Sequence, residues 1–553
     1  MTRSTARRRI AGLVFVATLA ISPAIAQRAS DPPRLERRGA VSQLIVEGVP
    51  FMVLGGEVHN SSSSSLAHMA PIWPRLAAMN LNTVLVPISW EQMEPREGVY
   101  DFSLVDGLIR DARRHDMRLG LLWFGTWKNM VSSYAPAWVR RDRARFPAVI
   151  DRAGNALPIL STFGVEGQAA DGHAFAALMG HLRQIDGAQH TVLMVQVENE
   201  VGLGSGERDH SEAANRAFAG PVPPALIARL TGDRASLSRE LLGVWGAAGS
   251  RTAGTWEEVF GTGPETSEIF MAWHYARYLS GVVGDGHRAY PLPLFTNAAI
   301  GRQDGKVGTY PSGGPLPLVL NIWQTGAPEI GILSPDIYYG SFADWSAKYT
   351  QSGNPLFVPE MPGGPQGAGN AFLAIGNHGA IGVSPFGIDG AAGGKDIADA
   401  YATLRQLGPA ILAQQPRGMV KAVVVDATNG SGRITLGDYV LNIALRRNRG
   451  SSTAATHGYA LVIADAADRF TIAGKDVQIT FSASPPRTTV GLDVVEEGQF
   501  AEGRWVPRRR LNGDETMLDY GLGTLAATYQ DGTGLRLGGD APQILRVSVF
   551  PIR

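Results

Sequence analysis

The chain has 553 residues, 44% of them hydrophobic and 18% charged, with Lys plus Arg matching Asp plus Glu at 50 each. That composition supports large cores in more than one domain. Zero net charge gives no electrostatic footprint for nucleic acid or an anionic membrane, and the absence of cysteine excludes disulfides, a thiol nucleophile and cysteine-held zinc or iron–sulfur groups.

The first 26 residues read as an export signal. Arg3, Arg7, Arg8 and Arg9 precede an apolar run over 10–21, and Ala24-Ile25-Ala26 offers a small-x-small cleavage site before Gln27. A membrane anchor is the alternative, but a span needs about 20 apolar residues and this run is shorter. The expectation is a secreted or periplasmic protein with no membrane span after signal cleavage.

Over 27–415, apolar β-rich runs alternate with helical stretches, the pattern of a parallel sheet with crossover helices. Eight strands are predicted, over 51–59, 83–89, 118–124, 191–197, 291–296, 334–338, 355–359 and 379–385. They are almost continuously apolar, as strands covered on both faces should be. Amphipathic stretches such as 103–115 and 174–185 supply helices between them. Eight such units suit a (β/α)8 barrel. An open doubly wound sheet is the alternative, but no glycine-rich phosphate loop follows the first strand. A long stretch over 201–290 is expected to shape the rim of the catalytic face. From 416 to 553, short alternating runs separated by Gly, Asn, Asp and Ser turns predict a smaller all-β sandwich.

Two segments carry the chemistry. Val195-Gln196-Val197-Glu198-Asn199-Glu200 ends the fourth predicted strand, and Leu356-Phe357-Val358-Pro359-Glu360 ends the seventh. Each places a glutamate on the edge where barrels of this kind put their active sites. Cleaving a glycosidic bond requires a proton for the departing oxygen and an anion facing the anomeric carbon. Two carboxyls divide those tasks when their surroundings separate their pKa values. Asn199, with donors and an acceptor, suits a sugar 2-hydroxyl.

These segments resemble the clan A glycoside hydrolases, which carry catalytic glutamates on strands four and seven. Within the clan, the chain is similar to glycoside hydrolase family 35, the β-galactosidases, in Gln196-Val197-Glu198-Asn199-Glu200, in Gly55-Gly56-Glu57-Val58-His59, in the run from Trp90 through Glu94-Pro95 to Phe102, and in Pro136-Ala137-Trp138. The resemblance implies that Glu200 is the acid/base and Glu360 the nucleophile of a retaining enzyme releasing terminal β-D-galactose. Two positions depart from the family: Gly125-Thr126-Trp127-Lys128-Asn129 stands where Cys-Ala-Glu is common, and Asn60 where tyrosine is. Together with the run from Gly503 to Glu515, they resemble a bacterial branch with a distinctive C-terminal β domain, some of whose members act on xyloglucan side chains.

Lys128 and Asn129 are candidates for an alternative sugar clamp. Glu57 either binds a pair of hydroxyls or pairs with Lys128. Tyr338 either steadies the nucleophile or is a packed tyrosine. Trp90, Trp123, Trp127 and Trp323 lie near predicted strand ends, where a ring could stack on sugar, although core packing is the commoner fate. No histidine pair or carboxylate cluster shows ligand spacing, so no metal and no cofactor is expected. The expected partner is a carbohydrate substrate. A β-glucosidase, an α-L-arabinopyranosidase and a non-catalytic sugar-binding barrel are the competing readings. The C-terminal sandwich is expected either to bind carbohydrate or to brace the barrel.

Overall fold

The computed structural model describes residues 1–2, 31–300, 305–390, 394–446, 455–483, 489–516, 518 and 534–552. Apart from its first two residues, the expected export signal lies outside the described residues.

Three short antiparallel strands come first: β1 (Arg34–Arg38), β2 (Val41–Val46) and β3 (Val49–Phe51). Then follow β4 (Val53–Glu57), β5 (Thr83–Ser89), β6 (Arg118–Lys128), a hairpin of β7 (Ala148–Ile150) and β8 (Ala156–Leu160), and β9 (Val192–Asn199). β10 (Leu294–Ala299), β11 (Ile332–Asp336), β12 (Phe357–Met361) and β13 (Gly382–Pro385) complete the set. β4, β5, β6, β9, β10, β11, β12 and β13 close a parallel barrel in that cyclic order, and each overlaps one of the eight predicted strands.

The period-two geometry of a strand explains the continuous apolar runs. Along β6, Leu121 and Trp123 join the core shared with the helices, whereas Leu122 and Phe124 join a separate cluster with Phe295 and Phe357. Phe295 and Phe357 meet edge to face at 5.2 Å although their strands are not neighbours, so they fill the lumen. Leu44 and Val46 of β2 belong to the same cluster, together with Val53 and Ile381 at the strand starts. The N-terminal sheet, which the sequence did not announce, therefore stoppers the end of the barrel opposite the catalytic face.

The stretch after β9 divides in two. Residues 212–260 hold four short α-helices and one 3-10 turn, and Pro264–Ala289 is the long crossover helix that packs on Val165–Asp186. Leu203, just beyond β9, forms an isolated bridge with Ser312 of the loop after β10.

Beyond the helix Gly394–Gln414 come β14 (Val420–Asp426), β15 (Ser431–Leu436), β16 (Tyr439–Leu445), β17 (His457–Ala466) and β18 (Arg469–Lys475). β19 (Val477–Ala483), β20 (Thr489–Ala501), β21 (Arg504–Arg510), β22 (Gly534–Leu537) and β23 (Gln543–Ile552) end the chain. They form a six-stranded sheet and a four-stranded sheet. Along β17, Ala460 and Val462 face the four-stranded sheet, whereas Tyr459, Leu461 and Ile463 join the barrel's own core. Phe372 of the helix Gly364–His378 meets Tyr459 at 4.7 Å between ring centroids. Gly376 of that helix lies so close that a Cβ there would sit 2.5 Å from Ala422 Cβ. The six-stranded sheet is thus covered on both faces, one of them by the barrel. Arg508, Arg509 and Arg510 lie on its edge strand β21, exposed, with Arg509 paired to Glu497 and Glu515. Among the described residues, no helix is long and apolar enough to cross a membrane.

Candidate active site

The site is built at the end of β9. Glu198 and Glu200 have φ of 60° and 47°, left-handed values that cost a non-glycine residue about 1–3 kcal/mol and persist only where the surroundings enforce them. The enforcement is visible. The Glu198 carboxyl accepts from the backbone N–H groups of Thr126 (3.1 Å) and Trp127 (2.6 Å), and the Glu200 N–H donates to Asn297 Oδ1 at 3.0 Å. Glu198 is fully buried beside Asp171, which itself accepts from Trp123 Nε1 (2.9 Å) and Thr126 Oγ1 (2.6 Å). Burial, then the Asp171 charge, pushes Glu198 well above the usual carboxylate range, and burial raises Asp171 too. The pair ties the C-terminal part of the third barrel strand, β6, to β9 and leaves Asn199 and Glu200 for the centre.

Glu360 on β12 receives three donors: Tyr338 Oη at 2.8 Å, Asn199 Nδ2 at 3.3 Å and Asn297 Nδ2 at 3.3 Å. Asp336, the last residue of β11, is its register partner. Asn297 Nδ2 also donates to Asp336 Oδ2 at 2.8 Å. One carboxylate oxygen from each of Glu200, Asp336 and Glu360 lies within 4.8 Å of the other two. Glu57 on β4 is fully buried, with no hydrogen bond to either carboxyl oxygen among the described residues.

Four buried carboxyls against the single ammonium of Lys128 cannot all be charged, because burying unpaired charge costs more than a fold can offset. Burial, then the Glu360 charge, raises Glu200 to about 7, against the opposing pull of Lys128 and a hydrogen bond with Asp336. The same two causes, in the same order, push Glu57 and Asp336 well above the usual range. The site therefore holds protons at neutral pH. The spacing of Glu200, Asp336 and Glu360 would also admit a cation, the one such acidic cluster among the described residues. The hydrogen bonds already directed at Glu360 and the retained protons suit proton transfer better.

Glu57, Lys128, Asn199, Glu200, Tyr338 and Glu360 are brought together as the sequence suggested, with three differences in detail. Lys128 does not pair with Glu57 among the described residues; its Nζ donates to Asn199 Oδ1 at 2.8 Å. Asn129 is exposed, and its contact with the site is a backbone N–H donated to the Asn199 carbonyl at 3.1 Å. Trp90, Trp123, Trp127 and Trp323 are all fully buried. Each indole N–H is spent inside the protein, on Glu94, Asp171, the Leu160 carbonyl and the Gly313 carbonyl, so none is a stacking platform. Asn297 and Asp336 were missed. Both stand at strand ends, on β10 and β11, and that position was the available signal.

A closed barrel with paired glutamates at the ends of its fourth and seventh strands is the arrangement of the clan A glycoside hydrolases, and part of the chain is similar to a β-galactosidase family of that kind. Residues 71–268 match the model of glycoside hydrolase family 42, described as beta-galactosidase, a span that includes Glu200 and stops short of Glu360. The family model that matches is that of family 42, whereas the motifs resembled family 35. Residues 397–522 match a domain of unknown function, DUF5597. No curated protein matches the chain. Solved structures similar to it include the beta-galactosidase from Bacillus circulans sp. alkalophilus (16% identity, TM-score 0.45, 65% of this chain and 57% of that one). The beta-galactosidase from the psychrophilic Marinomonas ef1 gives 14%, 0.45, 65% and 60%. The catalytic domain of beta-amylase from Paenibacillus polymyxa gives 11%, 0.43, 60% and 91%. The chain spans less than two thirds of the length of either beta-galactosidase.

Proposed function

We propose that the protein hydrolyses a terminal non-reducing β-D-galactosyl bond with retention of configuration, Glu200 acting as acid/base and Glu360 as nucleophile. The observation that carries this reading is the carboxylate spacing: oxygens of Glu200 and Glu360 lie within 4.8 Å. A retaining enzyme sets its carboxyls about 5–5.5 Å apart, whereas an inverting enzyme leaves about 6.5–9.5 Å for a water.

In the first step Glu360 attacks the anomeric carbon while Glu200, protonated through its raised pKa, gives its proton to the departing oxygen. The glycosyl–Glu360 ester is then hydrolysed by water, whose proton Glu200 takes. Tyr338, Asn199 and Asn297 hold Glu360 in the anionic, attacking form. The reading assigns the sugar 2-hydroxyl to Asn199 and further hydroxyls to Glu57, whose two oxygens have no partner among the described residues. Galactose as the sugar rests on the family description. A xyloglucan side chain as the natural source, and export to the periplasm or medium, belong to the same proposal.

Purified wild type and Glu360→Gly should be assayed on aryl β-galactoside, β-glucoside and α-L-arabinopyranoside. The reading expects turnover of the galactoside, its loss in the variant, and return with azide or formate as an α-galactosyl product. Turnover of another glycoside alone would replace the sugar, and undiminished turnover in the variant would remove Glu360 from its role.

A further inference from the structure

We propose that Asp336 is a positioning residue that stays protonated and donates a hydrogen bond to the Glu200 carboxyl throughout the cycle. This inference rests on Glu200 being the acid/base.

The geometry leaves Asp336 one arrangement. Asn297 Nδ2 donates to Oδ2 at 2.8 Å, while Oδ1 is buried and, among the described residues, accepts from no donor. Asn297 has nothing more to give: its Oδ1 takes the Glu200 N–H, and its Nδ2 also approaches Glu360 at 3.3 Å. The titratable groups facing Asp336 are Glu200 beyond β9, Glu360 on β12, Glu57 on β4, and Tyr338 and Tyr349. The Lys128 ammonium is committed to Asn199, and among the described residues no cation pairs with Asp336.

Three carboxyls with oxygens within 4.8 Å cannot all ionise. Glu360, with three donors, carries the negative charge. Glu200 must alternate between forms. Asp336, with one donor and an unpartnered oxygen, is the group that keeps its proton, and burial acts in the same direction. When Glu200 passes its proton to the leaving oxygen and becomes a carboxylate, the Asp336 O–H donates to it. When Glu200 takes the proton of the attacking water, the Asp336 proton has not moved. A donor to the charged form lowers the pKa of its acceptor, so Asp336 moderates the rise that burial imposes on Glu200.

Asparagine tests this directly, since its oxygen can accept from Asn297 and its NH2 can donate to Glu200 with no charge. Asp336→Asn is expected to keep kcat/KM within about 5-fold of wild type with the alkaline limb of its pH profile unmoved. Asp336→Ala is expected to lose about 10–100-fold, the equivalent of a hydrogen bond to a charged group, with that limb displaced to higher pH. A folded Asp336→Asn that falls as far as alanine would overturn the proposal, since an ionised carboxyl would then be required. So would Asp336→Ala with wild-type rate and profile. Should the alanine variant fail to fold, the asparagine profile decides alone. Azide rescue of Glu200→Ala on an activated aryl glycoside tests the underlying role separately: its absence removes Glu200 as acid/base whatever the Asp336 variants do.

Discussion

Lys128 Nζ sits 2.8 Å from Asn199 Oδ1, which turns the other end of the same amide, Nδ2, toward Glu360 at 3.3 Å. An amide has no intrinsic preference between its two orientations, so a buried ammonium on one end fixes which end faces the nucleophile. Lys128→Met should free Asn199 to turn its oxygen toward the Glu360 carboxylate, replacing attraction with repulsion. The expected result is a fall in kcat of about 10–100-fold, the range for a hydrogen bond to a charged group, measurable by steady-state kinetics on an aryl glycoside. An unchanged kcat would show that Lys128 does not set the amide.

The pH dependence follows from Glu200. Cleavage needs its protonated form, and its pKa stands near 7, so kcat/KM should fall as pH rises through about 7. Stability has the same direction. A carboxyl raised from 4.5 to about 7 takes up a proton on folding. Its contribution is therefore full below about 4.5 and is lost as pH climbs to 7, roughly 3 kcal/mol at about 1.4 kcal/mol per unit. Chemical denaturation at pH 5 and pH 8 should show the native state more stable at pH 5, and Glu200→Gln should flatten the difference.

Glu57 bears on both stability and binding. Burial raises its unpartnered carboxyl well above its ordinary value, which favours proton uptake on folding. Glu57→Gln keeps a donor and an acceptor without that requirement, so the melting temperature at pH 7.5 should rise while KM stays within a few-fold of wild type. Glu57→Ala removes both, and KM for the glycoside should increase about 10-fold or more, the cost of one to two lost hydroxyl contacts. An alanine variant with unaltered KM would place Glu57 outside the sugar's reach.

Tyr338 donates to Glu360 at 2.8 Å. Tyr338→Phe keeps the ring packing and deletes one of three donors, so kcat should drop about 10–100-fold with little movement of the melting temperature. A large stability loss with normal kcat would make the tyrosine a packing residue.

The barrel was legible because its signal is repeated eight times. Each strand is an apolar run long enough to be buried on both faces, and each ends near a predicted boundary. The two glutamates were legible for a local reason, since a charged residue directly after such a run has only the rim to occupy. Asp336 obeys the same rule but stands between Pro335 and Ile337 with no polar residue adjoining it, and Asn297, although it follows Thr296, is uncharged and so falls outside the rule. The fate of the four tryptophans depends on which way each side chain turns, which run length does not settle. The three-stranded stopper at 34–51 was hidden because Leu44 and Val46 look like any short strand until the lumen they fill is known.

The close seat of Gly376 on β14 limits how the molecule can be taken apart. A barrel trimmed after residue 414 would present the apolar sides of two neighbouring helices to water, and a liberated sandwich would expose Tyr459, Leu461 and Ile463. Neither half owns a finished outer surface. In calorimetry the two should melt as one transition, and a hybrid joining this sandwich to another barrel would have to import the helix Gly364–His378 along with it.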